Sequence, residues 1–140
     1  MKSLILLLLT SFIYLPPSYR ANPAMRCWIQ PKSVKVTLKQ SAAVFSGEVL
    51  GIGNGGNYLE VRLRVERSWK GVEGEEVSLL TDSTTESPHY RVGQKYLVFA
   101  DKRDGKLFTG NCSRTKRLEY AQEDLEKLDK TNRPSRREKL

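Results

Sequence analysis

The clearest pattern in the chain is an alternation of apolar and charged residues that begins at position 59. Apolar residues occupy every second position of Leu59-Glu-Val-Arg-Leu-Arg-Val-Glu66. A period of two is typical of a strand with one buried face and one face in solvent. Four more segments predict strands, and the third is a continuous apolar run typical of a central strand: 41–50, 75–81, 94–100 and 106–112.

The spacing of apolar residues changes near the C-terminus. Four of them lie three or four positions apart: Leu118, Ala121, Leu125 and Leu128. This spacing predicts an amphipathic helix. Residues 32–40 are compatible with both a short helix and a strand, because their valines favour a strand whereas their lysines and leucine suit a helix. Five strands and a terminal helix predict a mostly β protein, a small closed barrel packed by the helix.

The first residues are predicted to be a secretory signal peptide. Lys2 precedes about a dozen mostly apolar residues, too few for a membrane-spanning helix of roughly 20. Cleavage after Ala21 and cleavage after Ala24 both remain open. The domain assignment is 1–24 for the signal peptide, 25–130 for the folded domain and 131–140 for a basic, disordered tail. We therefore expect a secreted protein (periplasmic if bacterial) without a stable membrane anchor.

Composition narrows the chemistry that the chain can perform. Two cysteines and a single histidine, His89, exclude a four-cysteine zinc site and any site with two imidazoles. The glycine-rich run Gly51–Gly56 precedes a strand rather than a helix, so it predicts a hairpin turn and not a dinucleotide site. Asp101 and Asp104 lack the remaining ligands of a calcium loop. We expect no enzyme, no catalytic residue, no cofactor and no metal site of its own.

Four sequence blocks, in this order, are similar to the netrin-like module and, within it, to the tissue inhibitors of metalloproteinases and their small relatives: Ala43–Val49, Val65–Gly71, Val92–Ala100 and Cys112–Thr115. The resemblance implies an OB-type five-stranded barrel with flanking helices. It also implies inhibition of metalloendopeptidases without catalysis.

The two cysteines bear on this resemblance. Export and an even cysteine count predict a Cys27–Cys112 disulfide. The family pattern opens with Cys-x-Cys, whereas only the second cysteine is present in Met25-Arg26-Cys27. The resemblance implies a protease-contacting edge of Met25, Arg26, Cys27 and Trp28, with the Met25 backbone as the ligand for the zinc of a target protease. The first cysteine of the family pattern is absent, and the disulfide that it forms in the family is lost with it, which predicts weak inhibition.

Three functions follow from these observations. The leading one is a secreted, monomeric inhibitor whose partner is an extracellular zinc metalloprotease. The alternative is a netrin-like module that binds extracellular protein and has lost zinc chelation. The third is an OB-fold nucleic-acid binder, with Tyr58, Trp69 and Phe108 as stacking residues. Export argues against nucleic acid, as does a folded domain that retains only about +3 of the formal net charge of +8.

Overall fold

A computed structural model describes residues 32–83, 89–110 and 112–132. These residues form six strands and two α-helices. The strands are β1 (Ala43–Asn54), β2 (Leu59–Lys70), β3 (Glu76–Thr81), β4 (Lys95–Arg103), β5 (Lys106–Thr109) and β6 (Lys116–Arg117). The helices are α1 (Val34–Gln40) and α2 (Gln122–Asn132), and a 3₁₀ turn at Leu118–Tyr120 precedes α2.

Five of the strands close into a barrel. The hydrogen-bonded order is β1-β2-β3-β5-β4, and β4 returns to pair with β1. β3 and β5 are parallel, whereas the other barrel pairs are antiparallel. This is the OB-type barrel, with a short N-terminal helix and a C-terminal helix, and it confirms the predicted fold class. β1 bends around the barrel with register shifts, one of them between Ser46 and Gly47.

Every second residue of a strand faces inward, and these residues fill the barrel interior. Phe45, Val61, Leu63 and Leu79 are almost completely buried there. The same interior holds Tyr90, whose hydroxyl lies 3.0 Å from that of Thr109. Burial raises the pKa of Tyr90 above its ordinary value, so this hydroxyl stays protonated.

The two helices cover the outer face of β1 and β4. Val34 from α1 and Leu128 from α2 are buried against Val44 and Phe99 of these strands. Ser33 caps α1 by accepting a hydrogen bond from the backbone N–H of Val36. The cap and the buried apolar side explain why the ambiguous segment 32–40 is helical.

A buried ion pair fixes α2 to the chain that precedes it. Asp124 is 2% exposed and accepts two hydrogen bonds from the Arg114 guanidinium, at 2.7 and 2.8 Å. The Lys116 ammonium lies 3.0 Å from the same carboxylate. Burial raises the pKa of Asp124, but the hydrogen bonds from Arg114 and Lys116 lower it by more, so the net pKa lies below its ordinary value.

The structure departs from the predicted elements after β5. That strand ends at Thr109 rather than at position 112, and β6 was not predicted. Hydroxyl groups replace part of the missing strand: the Phe99 N–H donates to Thr115 Oγ1 at 2.9 Å, and Ser113 Oγ donates to the Phe99 carbonyl at 2.7 Å. α2 extends to Asn132, into the segment predicted as a tail.

Cys112 is disulfide-bonded. Its predicted partner, Cys27, lies outside the described residues, so the pairing stays a prediction. The predicted leader 1–24 also lies outside the described residues, and export stays a prediction as well. Within the described part of the chain, no helix is long and apolar enough to cross a membrane.

Candidate functional site

The strand registers align outward-facing side chains into rows across the side of the barrel formed by β2, β3, β5 and the end of β4. Residues directly opposite each other share a face of the sheet. Arg62 of β2 is opposite Ser78 of β3, and Lys106 of β5 is opposite Arg103 of β4. Ser78 and Lys106 are neighbours because the residues that follow them, Leu79 and Leu107, are paired. One row therefore carries three cations across four strands.

An aromatic pair lies beside this row. Phe108 is opposite Leu80 on the outer side of the barrel, yet it is only 3% exposed. The Tyr58 ring meets it edge-on with the ring centroids 5.4 Å apart, and the Arg103 guanidinium carbon lies 3.8 Å from the Phe108 centroid. Phe108 therefore supports Tyr58 and Arg103, which remain partly exposed.

Among the described residues, the three cations of this row, Arg62, Arg103 and Lys106, form no salt bridge, whereas Arg114, Lys95 and others do. The row next to them carries acidic groups at Glu60 and Asp101, opposite Gly53 and Phe108 respectively. We define the basic–aromatic face by six residues: Tyr58, Arg62, Leu80, Arg103, Lys106 and Phe108.

Two tight turns border the basic–aromatic face. The β1–β2 turn has Gly56 at φ 85° and is held by a hydrogen bond from its N–H to Asn54 Oδ1 at 2.9 Å. The β4–β5 turn has Asp104 and Gly105 at positive φ, where glycine is favoured. The turn predicted at Gly51–Gly56 is shorter than expected, because Gly51–Asn54 belong to β1, and Asp101–Arg103 likewise belong to β4 rather than to the second turn.

Bare backbone lies next to one of the cations. Gly51 is opposite Arg62, and a Cβ at Gly51 would lie 3.8 Å from Arg62 Nη2. The guanidinium therefore extends beside a strand that presents no side chain at that point, which leaves the charge accessible from solvent.

The structure brings together two of the three proposed stacking residues. Tyr58 and Phe108 touch, but Trp69 packs on the helical side, where its Nε1–H donates to Asp129 at 3.1 Å. The cations were not among the predicted site residues. The alternation of residues 59–66 marked Arg62 as outward-facing, but only the pairing of β2, β3, β5 and β4 puts it in one row with Arg103 and Lys106.

His89 is not one of the six residues that define this face. His89 is exposed, and its backbone carbonyl accepts a hydrogen bond from the Tyr96 hydroxyl at 2.7 Å. The predicted edge of Met25, Arg26, Cys27 and Trp28 lies outside the described residues. Among those that are described, no group of three or more His, Cys, Asp or Glu residues could hold a metal ion.

Comparison with known proteins gives a fold likeness only. No family model matches the chain, and no curated protein matches it. Similar solved structures include the tetrameric p202 HIN2, at 9% identity and a TM-score of 0.37, and the p204 HINb domain, at 7% identity and a TM-score of 0.35. The matches cover 65% and 76% of this chain, but only 50% and 56% of those chains.

A third structure, described as "Structural mimicry for functional antagonism", matches at 16% identity and a TM-score of 0.34 over 62% of this chain and 44% of that one. This chain thus spans about half the length of the structures it matches. Identities and TM-scores this low carry no activity, partner or assembly over to it.

The predicted membership of the netrin-like module and of the tissue inhibitors of metalloproteinases is wrong. No family model supports it, and two of the three similar structures are described as HIN domains instead. Three of the four resembling blocks fall largely in β1, β2 and β4. They contain apolar strand patterns that any small barrel needs, so they predicted the fold correctly and the family incorrectly. The predicted metalloprotease partner and the predicted inhibitor function rested on this membership and are wrong as well.

The prediction against nucleic acid is also corrected. It relied on predicted export and on the charge of the folded domain as a whole, about +3. The structure separates the charges into rows: three cations without a salt bridge among the described residues share one row, and Glu60 and Asp101 lie in the next row, which also carries Phe108. Binding depends on the local field of such a face more than on net charge.

Proposed function

We propose that this chain is a non-enzymatic OB-fold protein that binds single-stranded nucleic acid on the basic–aromatic face. The observation that carries the proposal is Arg103 over the Phe108 ring at 3.8 Å, next to the exposed Tyr58 and in one row with Arg62 and Lys106. OB folds bind oligonucleotides on the strand β2–β3 face, between the β1–β2 and β4–β5 loops. The basic–aromatic face occupies this region.

Each part of the face has a chemical role in this proposal. The three cations attract the phosphate backbone, and Arg62 and Arg103 can pair with phosphate oxygens through two N–H groups. The Tyr58 ring and the Arg103 guanidinium offer flat surfaces on which bases stack. Stacking requires unpaired, exposed bases, so the ligand is single-stranded. Because every base has a π-face, binding tolerates many sequences.

The test is fluorescence anisotropy with a labelled single strand of about 15 nucleotides, near the upper site size of an OB fold. Tyr58→Ala removes one stacking surface, worth about 1–3 kcal/mol, so the affinity falls roughly 5- to 150-fold. Tyr120→Ala is the matched control, because Tyr120 is 70% exposed and lies near Arg117 rather than on the face. It leaves the affinity unchanged.

Two results would overturn the proposal. One is equal binding by the wild type, Tyr58→Ala and Tyr120→Ala. The other is tighter binding of a sulfated polysaccharide than of the oligonucleotide, with no dependence on Tyr58, since that would show a charge-only site for glycans.

A further inference from the structure

Helix α1 presents a second surface rich in cations. Lys32, Lys35 and Lys39 are exposed, while Val34 and Leu38 pack against the barrel. The chain contains no acidic residue from position 32 to position 47. The positive charge of α1 is therefore not balanced within its own segment.

A fourth lysine strengthens this surface. Lys70 Nζ donates hydrogen bonds to the carbonyls of Leu38 and Lys39, at 3.1 and 3.0 Å, so its ammonium lies at the C-terminal end of α1. Lys32 Nζ donates to Gln40 Oε1 at 2.8 Å, which is a neutral partner. Among the described residues, none of the four lysines forms a salt bridge. We call Lys32, Lys35, Lys39 and Lys70 the α1 lysine surface.

The α1 lysine surface and the basic–aromatic face lie on different sides of the barrel. α1 packs through Val34 on the outer face of β1 and β4, against residues such as Val44 and Phe99. The basic–aromatic face is formed by β2, β3, β5 and the end of β4. A short strand held on one side leaves the other side free.

We infer that the α1 lysine surface binds the phosphate backbone of a second nucleic-acid segment, so that one molecule bridges two strands. This inference rests on the proposed function. Ammonium groups are compact point charges that suit phosphate oxygens without base recognition. A lipid bilayer fits less well, because Val36 is the one exposed large apolar residue of α1, and interfacial helices bury an apolar face.

Bridging is measured with two short oligonucleotides, one carrying a donor dye and one an acceptor dye, mixed with the full chain. The wild type gives energy transfer, and sedimentation shows one protein copy with two oligonucleotides. The double variant Lys35→Gln with Lys39→Gln loses the energy transfer but keeps the single-oligonucleotide anisotropy of the wild type. The control Lys127→Gln with Lys130→Gln makes the same charge change on α2 and keeps the energy transfer.

The outcomes separate this inference from the proposed function. No anisotropy change with any oligonucleotide means that the proposed function itself fails. Anisotropy without energy transfer overturns the bridging inference alone, as do complexes that contain two protein copies. Lysine-dependent binding to vesicles of phosphatidylserine and phosphatidylcholine, without bridging, also overturns it, because it would identify the occupant as an anionic membrane.

Discussion

The salt dependence of binding follows directly from the cations in one row of the basic–aromatic face. If Arg62, Arg103 and Lys106 each neutralise one phosphate, binding of a single strand releases the counterions of three phosphates. The slope of log K against log salt is about −0.7 per phosphate for single strands, so we expect about −2. Raising salt from about 50 mM to about 200 mM then weakens binding about 20-fold.

Lys106→Gln is the perturbation that isolates this effect. Lys106 is exposed, makes no ion pair among the described residues and touches neither aromatic ring in any contact that the structure shows. Its loss reduces the slope to about −1.4, so the same rise in salt weakens binding only about sevenfold. Anisotropy titrations at four salt concentrations measure both slopes. Arg91→Gln removes an exposed cation outside the face, and its slope stays at the wild-type value.

Arg103→Lys separates charge from stacking at the neighbouring position. The charge is retained, so the slope stays near −2, but the planar guanidinium over Phe108 is lost and the affinity falls. A slope for Lys106→Gln equal to that of the wild type would refute the reasoning. So would a slope that falls equally in Arg91→Gln, because it would show that the bound strand does not follow the row.

Three further predictions concern the scaffold. Asp124→Asn lowers the free energy of unfolding by about 3 kcal/mol in urea denaturation, because it leaves a half-buried guanidinium without its carboxylate. In the wild type this contribution is complete above the ordinary pKa of 3.8 and is lost as the pH falls below it, since the folded-state pKa of Asp124 is lowered. Thermal denaturation shows a large fall in melting temperature for Gly71→Ala, whose Cβ would overlap the Ala42 carbonyl oxygen, and a smaller fall for Gly56→Ala, whose Cβ meets open space; equal falls would contradict this. Thiol titration of the denatured, unreduced protein finds no free thiol if Cys27 and Cys112 are paired, and two free thiols would disprove the pairing.

The strands were largely predictable because burial on one face leaves a local signature. Alternation from Leu59 to Glu66 marks β2, and the continuous apolar run before Ala100 marks β4, which is covered by the barrel interior on one side and by helices on the other. The end of β5 was not predictable in this way. Ser113 and Thr115 replace strand hydrogen bonds through their hydroxyls, and no apolar pattern reports such bonds.

The site was harder to predict because it depends on register between distant strands. Tyr58 and Phe108 were recognised as candidate stacking residues. Phe108 is buried on the outer side of the barrel, in contact with Tyr58 and Arg103. Tyr58 and Phe108 lie about 50 positions apart, and their contact follows from the parallel pairing of β3 and β5. Nothing local in the sequence indicates that pairing.

The central claim is that a single strand lies on the basic–aromatic face, and amide chemical-shift mapping tests it most directly. The uniformly ¹⁵N-labelled protein is titrated with a substoichiometric oligonucleotide at moderate salt. The account predicts the largest shifts in residues 55–62, 78–80 and 102–108, with little change in the barrel interior. Shifts confined to the loop around His89, or to the 3₁₀ turn that carries Tyr120, would contradict it and place the ligand elsewhere on the barrel.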